Sequence, residues 1–571
     1  MISRVRPAGE LEDDELDEDA LLDGEVVVAL VELVAVTGVV LVRPDASSAG
    51  SPQPASTPSA SRATGPAASR AKWAGGTRGV IFVTNGSLGN GFCHDVGVPD
   101  RLNSLDASFL YLEEATTPMH VGSVMVFDPP SDGFDYDRLV QLISTRIAFV
   151  PRYRQRVRQV PGRLANPVWV DDENFDVTYH VRRSALPKPG TDEQLQEFVA
   201  RIQPRALDRK RPLWEVYLVE GLQQGRFAIV TKSHQALVDG INAVDIAHVI
   251  VDGDPAAEGL VTDTWRPSRE PSDVELLTGA LVDAIRRPSE VVENIRGGIV
   301  DVKAVGTRAL TAAGDVVSTL ARTAARPAPH SPLNAHVGEA RRYVMIGTDL
   351  EDYRKVRSRL ARGNYADDVS INDVVLATIS GAFRTWLLTR GEAVHSGTTV
   401  RAMVPVSVYD AEARHVGSRL TACFVDLPVG EPGASMRLHQ IAFAMRQQME
   451  GGQAVGAESL AGLAGFAPPT LHSLGARLGS AVSRRLFNVV ITNVPGPQHT
   501  LYAGDAKMLS TYPVMPLARG QALSIGLTSY DGGVYYGLNA DRDSMPDIDV
   551  LGQSIVDSLA ELLDSHRTPQ R

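Results

Sequence analysis

The segment Phe227–His234 (FAIVTKSH) constrains the fold of this chain more than any other. It begins as an unbroken apolar run and turns polar at its end, the pattern of a buried strand that reaches a site. Asp239-Gly240 follows as a turn signal. Beyond it Ile241, Val244, Ala247, His248 and Val251 recur at helical spacing. A buried strand, a tight turn and an amphipathic helix in succession call for a mixed α/β architecture.

The same alternation fills two blocks, about residues 101–255 and 342–563. Between them, residues 255–345 hold amphipathic stretches rich in Ala, Val and Arg, closed by the breaker-rich RPAPHSPLN at 326–334. In the second block Ser370-x-x-Asp373 forms a capping box for a helix with Val375, Ile379, Phe383, Trp386 and Leu387 on its apolar face, and Gly391 ends it. Asn493-Val-Pro-Gly-Pro497 reads as a loop. Leu523–Thr528 and Gly533–Leu538 read as strands joined by an Asp531-Gly532 turn. A length of 571 residues suits two or three domains. The expected organisation is a leader over 1–100, a first lobe with crossover helices over 101–345 and a second lobe over 346–571.

The leader differs in kind from the rest. Residues 1–25 carry ten carboxylates against Arg4 and Arg6, about −8 of the formal −12 of the whole chain. Such a start is the opposite of a secretory signal. The apolar run 26–42 is interrupted by Glu32, and a central carboxylate costs roughly 2.5–3.5 kcal/mol on insertion scales. Residues 43–75, rich in Ser, Pro, Ala and Gly, have too little apolar surface to order themselves and read as a linker. The acidic balance argues against nucleic acid as a partner. Cys93 and Cys423 form neither a disulfide framework nor a metal motif and fit a reducing cytoplasm.

The stretch Lys232-Ser-His-Gln-Ala-Leu-Val-Asp-Gly240 holds the chemistry. Acyl transfer to an alcohol needs a base for the hydroxyl proton and donors for the developing oxyanion. A histidine at a strand end, steadied by an Asp-Gly turn, suits the first need, although a histidine beside a turn is more often structural. His120, His248 and His415 are expected to do no chemistry.

This stretch resembles the HHxxxDG motif of the wax ester synthase/diacylglycerol acyltransferase family, a branch of the chloramphenicol acetyltransferase-like superfamily. Four further segments resemble that family in order: Leu105–Leu112 with Pro118-Met-His-Val-Gly122, Arg211-Pro-Leu-Trp-Glu215, Asn372-Asp373 and Asn493–Pro497. The resemblance covers about residues 101–565. It implies two chloramphenicol acetyltransferase-like lobes with mixed sheets, joined by a helical crossover, with an active-site channel between them. It also implies acyl-CoA as a substrate, with diacylglycerol or a long-chain alcohol as acceptor. No metal and no cofactor are expected. An insoluble acceptor implies a peripheral encounter with a membrane or lipid-droplet surface from the cytoplasm. The amphipathic stretches at about 273–325 would either make that contact or pack on the lobes as the crossover.

By the same resemblance the site residues are His234, Gln235, Asp239 and Gly240, with Asn372 in substrate binding. Asp239 is expected to prop the site through an ion pair with an arginine, and Gly240 to supply backbone shape. Asn372 either donates a hydrogen bond near the reacting groups or serves the helix cap. Pro212, Leu213 and Trp214 are expected in the core of a strand. One departure is central. The family's presumed general base is the second histidine of the pair, and that position is Gln235. An amide has no basic lone pair near neutral pH. General-base catalysis supplies about 10²–10⁴-fold, whereas holding two substrates together contributes up to roughly 7–11 kcal/mol. Three readings follow: an active O-acyltransferase, a weak or silent acyl-CoA- or lipid-binding relative, and a condensation-type enzyme acting on carrier-bound acyl groups.

Overall fold

A computed structural model describes residues 100–163, 165–238, 246–254, 263–286, 327–360, 369–408, 419–450, 455–456 and 486–565. The acidic segment, the apolar run 26–42 and the Ser/Pro/Ala linker lie outside the described residues. So do Asp239, Gly240, His415 and much of the stretch between the blocks.

The first sheet contains β1 (His120–Asp128), β4 (Val181–Ala185), β5 (Trp214–Glu220), β6 (Phe227–His234), β12 (Tyr502–Ala503) and β13 (Ala506–Val514). Their order is β12-β13-β1-β6-β5-β4. Only β4 and β5 run parallel. Period-2 alternation covers both faces. Val124, Val126, Tyr217, Val219, Ala228 and Val230 face one cluster, beneath the helix Asp192–Ile202. Met125, Phe127, Val216, Leu218, Phe227 and Ile229 face the other, beneath the helices Ser104–Leu112 and Tyr136–Arg146. The expectation of a buried strand at 227–234 is met: every residue of β6 is buried. A small hairpin, β2 (Gln155–Arg158) with β3 (Val168–Asp171), stands apart from this sheet.

The second sheet contains β7 (Arg341–Asp349), β8 (Val400–Val408), β9 (Arg419–Leu427), β10 (Val455–Gly456), β11 (Val489–Pro495), β14 (Leu523–Tyr530) and β15 (Gly533–Asp541). Their order among the described residues is β10-β9-β8-β11-β14-β15-β7. β11 is parallel to both its neighbours, so each lobe has a mixed sheet. The helices Ile371–Thr389, Ala434–Glu450 and Ile548–Ser565 cover it with one continuous core that includes Phe383, Trp386, Leu438 and Leu559. The capping box forms as expected, Ser370 and Asp373 each bonding the other's backbone N–H, and Gly391 leaves the helix at φ 79°. Asp531 and Gly532, at φ 42° and 84°, make the β14–β15 turn.

Three expectations are adjusted. Asn493-Val-Pro is the end of strand β11 rather than loop. β8 pairs with β11 only at Val489 and Val490, so Pro495 sits where a missing N–H costs no ladder bond on that side. Pro212 and Leu213, though buried, precede the strand that begins at Trp214. A boundary at residue 345 follows the chain but not space: β12 and β13 come from the second block and complete the first sheet. The described part of the crossover region includes the helix Asp273–Arg286. It docks Leu276 on Val168 and Val170 and ties Asp273 to Arg158 at 2.8 Å, while Val274 and Val282 stay exposed. Among the described residues no helix is long and apolar enough to cross a membrane.

Candidate active site

The antiparallel register of β1 and β6 sets His120 directly opposite His234 at the ends of the two strands. The rings meet edge-on, with centroids 6.2 Å apart and an interplanar angle of 72°. Both histidines are 1% exposed. Glu113 stands between them, just past the helix Ser104–Leu112. Its Oε1 lies 3.3 Å from His120 Nε2 and its Oε2 lies 3.8 Å from His234 Nε2. Arg209 closes the cluster with a hydrogen bond to Glu113 Oε2 and another to the Leu110 carbonyl.

These partners fix the proton inventory. The Ala236 N–H donates to His234 Nδ1 at 3.0 Å. The neutral ring therefore carries its proton on Nε2, turned toward the carboxylate at a distance too long for a hydrogen bond. Burial outweighs the carboxylate's attraction and pushes the His234 pKa down to about 3. Burial alone would raise Glu113, but the close approach of His120, the field of His234 and the hydrogen bond from Arg209 hold it at about 2. His120 Nδ1 meets the Gln203 carbonyl at 3.0 Å, and Gln203 Nε2 returns a bond to the His120 carbonyl. At neutral pH the cluster thus holds a carboxylate and a neutral His234 whose only basic lone pair is already engaged.

Gln235 is half-buried and opens the short helix Gln235–Val238. Its N–H donates to the Met119 carbonyl at 2.8 Å. Lys232, two residues upstream of His234, is fully buried and donates to the carbonyls of Ile202 and Arg205, capping the end of the helix Asp192–Ile202. It also faces Glu215 at 3.6 Å, and burial pushes its pKa down to about 8.

On the second lobe, Asn372 is half-buried near the start of its helix and accepts a hydrogen bond from Asn493 Nδ2 at 3.1 Å. Two segments about 120 residues apart are thereby joined by their asparagines. The loop between Glu113 and β1 is also reached from the second lobe. Arg341 donates to the Thr116 carbonyl, and Arg519 bonds Glu114 Oε1 at 3.2 Å. A small cavity at this junction is lined by Pro118, His120, Gln203, Arg341, Leu517 and Asn539 among others.

Of the residues singled out from the sequence, His234 and Gln235 stand together at the end of β6, and Asn372 stands on the other lobe with Asn493. Asp239 and Gly240 lie outside the described residues. His248 is exposed. His120, expected to do no chemistry, is a direct neighbour of His234. Glu113 and Arg209 belong to none of the sequence motifs. Their one sequence signal is that charges flank the Pro118–Gly122 and Arg211–Glu215 segments, and spacing alone does not say that the two charges meet.

The family profile of the wax ester synthase/diacylglycerol acyltransferase catalytic domain matches residues 102–375, and that of the family's C-terminal domain matches residues 416–563. The probable diacylglycerol O-acyltransferase tgs2 of Mycobacterium tuberculosis is 35% identical over 480 residues, 81% of this chain and 98% of its own. The probable diacylglycerol O-acyltransferase tgs3 of the same species is 46% identical over 260 residues, 45% of this chain and 96% of its own. Among solved structures, the wax ester synthase/diacylglycerol acyltransferase from Marinobacter aquaeolei VT8 superposes with a TM-score of 0.56 at 29% identity, covering 81% of this chain and 99% of that one. The chain therefore belongs to the wax ester synthase/diacylglycerol acyltransferase family, with a glutamine at the end of β6 beside a buried, hydrogen-bonded histidine.

Proposed function

We propose that this protein moves a long-chain acyl group from acyl-CoA to the hydroxyl of diacylglycerol or of a fatty alcohol, giving triacylglycerol or wax ester. The hydroxyl oxygen attacks the thioester carbonyl, the new ester C–O bond forms, the C–S bond breaks and the proton ends on the CoA thiol. Acyl-CoA is the substrate, and no separate cofactor or metal takes part. The observation that carries this reading is the placement of Gln235: half-buried at the head of a helix, its backbone fastened to Met119, at the end of a fully buried strand. The amide holds the acceptor hydroxyl by hydrogen bonds but takes no proton. Rate enhancement then comes from alignment of the two substrates in a channel between the lobes, with Asn372 as a candidate donor to the thioester carbonyl. The relatives named diacylglycerol O-acyltransferases support the substrate class. An acceptor of this kind places the encounter at a membrane or lipid-droplet surface facing the cytoplasm.

A second reading has its own observation. His234 has its Nδ1 lone pair bonded to Ala236 N–H, and Gln235 supplies no base. A protein that binds acyl-CoA or lipid without turnover fits that inventory.

The test is release of free CoA from palmitoyl-CoA with dioleoylglycerol by the full chain and by Gln235→His. The expected outcome is slow release by the wild type and an increase of about 10²-fold or more in the variant, within the range of a restored general base. Release only by Gln235→His selects the silent binder. No release by either protein, with dioleoylglycerol or with hexadecanol, rejects the acyltransferase reading.

A further inference from the structure

Two backbone groups of Met119 connect Glu113 to the base position. The Met119 N–H donates to Glu113 Oε1 at 3.4 Å, and the Met119 carbonyl accepts from Gln235 N–H at 2.8 Å. A second route runs through His234: Glu113 Oε2 faces its Nε2, while its Nδ1 accepts the N–H of Ala236, next to Gln235. The carboxylate is itself fixed by Arg209, which also holds the Leu110 carbonyl of the preceding helix. Glu113, with a side chain 13% exposed, is thus the shared anchor of both strand ends and of the first turn after β6. A core contact would need none of this charge, since an apolar residue fills space equally well.

We propose that Glu113 is a positioning residue: it sets the backbone of Gln235, through Met119 and His234, and so sets where the side chain at that position meets the acceptor hydroxyl. The inference deepens the acyltransferase reading and rests on it for its kinetic consequence. The structural consequence stands without turnover. Removing the carboxylate frees the Met119 N–H and leaves His234 Nε2 without its facing charge, so the turn at Gln235 and Ala236 opens more often. A displacement of about 1 Å at a reacting group costs up to roughly 10²-fold in rate.

The experiment uses the full chain as wild type, Glu113→Ala, Glu113→Gln and Leu559→Ala. The last removes a buried leucine of the second lobe, so it loses stability without touching the site. Each substitution at Glu113 is also made in the Gln235→His background. Amide hydrogen exchange over residues 230–238 is followed together with CoA release. Glu113→Ala is expected to speed exchange at Gln235 and Ala236 at least tenfold, whereas Leu559→Ala leaves exchange there near wild type. Glu113→Gln, which keeps an oxygen for Met119 N–H but loses the charge facing His234 Nε2, should recover only part of the protection. In any background that turns over, Glu113→Ala should lower kcat 10- to 100-fold with KM for palmitoyl-CoA within twofold. Exchange at Gln235 no faster than in Leu559→Ala overturns the proposal, and so does an unchanged kcat. If no protein releases CoA but exchange responds as described, the acyltransferase reading falls and the positioning role of Glu113 stands.

Discussion

At the scale of single residues, His234 and Glu113 of the candidate site are fixed by their partners. His234 accepts a backbone N–H on Nδ1 and is buried as a neutral ring, and Glu113 is held as a carboxylate with its pKa near 2. Both shifts act on stability with the same sign. The unfolded chain protonates His234 below about 6.5, while the folded chain keeps it neutral down to about 3. Its contribution is therefore complete above pH 6.5 and is lost as pH falls from there toward 3. Glu113 adds stability that is complete above about 4.5 and is lost as pH falls toward 2. The urea midpoint of the wild type should decline steadily from pH 7 to pH 4, and Glu113→Gln should show a shallower decline below pH 4.5. A midpoint flat between pH 7 and pH 4 would refute these assignments.

At the scale of elements, the site depends on how closely β1 and β6 approach. A Cβ on Gly122 would lie 2.0 Å from the Thr231 carbonyl oxygen, so only glycine allows the strands to meet there. The next residue breaks the regular ladder, its N–H bonding the Thr231 hydroxyl at 2.9 Å instead of a carbonyl. Gly122→Ala should separate the strand ends that carry His120 and His234 and destabilise the fold by about 1–3 kcal/mol, the usual cost of overpacking. Gly279→Ala, in a helix with open space around the added methyl, is the control and should not lower the melting temperature. Equal melting temperatures for the two variants would show that the approach at Gly122 is not needed.

At the scale of the whole molecule, the two sheets are joined by strand β13. It hydrogen-bonds to β1 in the first sheet and rests its end, Pro513, on the second. The seat is a facing pair of glycines, Gly526 of β14 and Gly537 of β15. A Cβ on Gly537 would lie 1.8 Å from the Pro513 carbonyl oxygen, and Tyr343 bonds that same oxygen at 3.0 Å. Gly537→Ala should push β13 from its seat, lower the melting temperature and, by the link from β13 through β1 to Met119, speed exchange in the 119–126 amides. A variant with wild-type melting temperature and exchange would mean that the sheets are not braced at this point.

The sequence by itself determined the elements that depend on local pattern: the buried strand at 227–234, the capping box at Ser370 and Asp373, the hairpin at Asp531-Gly532 and the family's ordered motifs. It also singled out Gln235, because a residue's identity is read directly from the chain. What only the tertiary structure decided is which groups meet. Glu113 and His120, at the two ends of one loop, are gathered with the distant Arg209 and His234 by strand register and helix docking, neither of which leaves a periodic trace. The return of β12 and β13 to the first sheet belongs to the same class. Pairing of distant strands is chosen by the burial of whole faces, and no short stretch of chain holds that information.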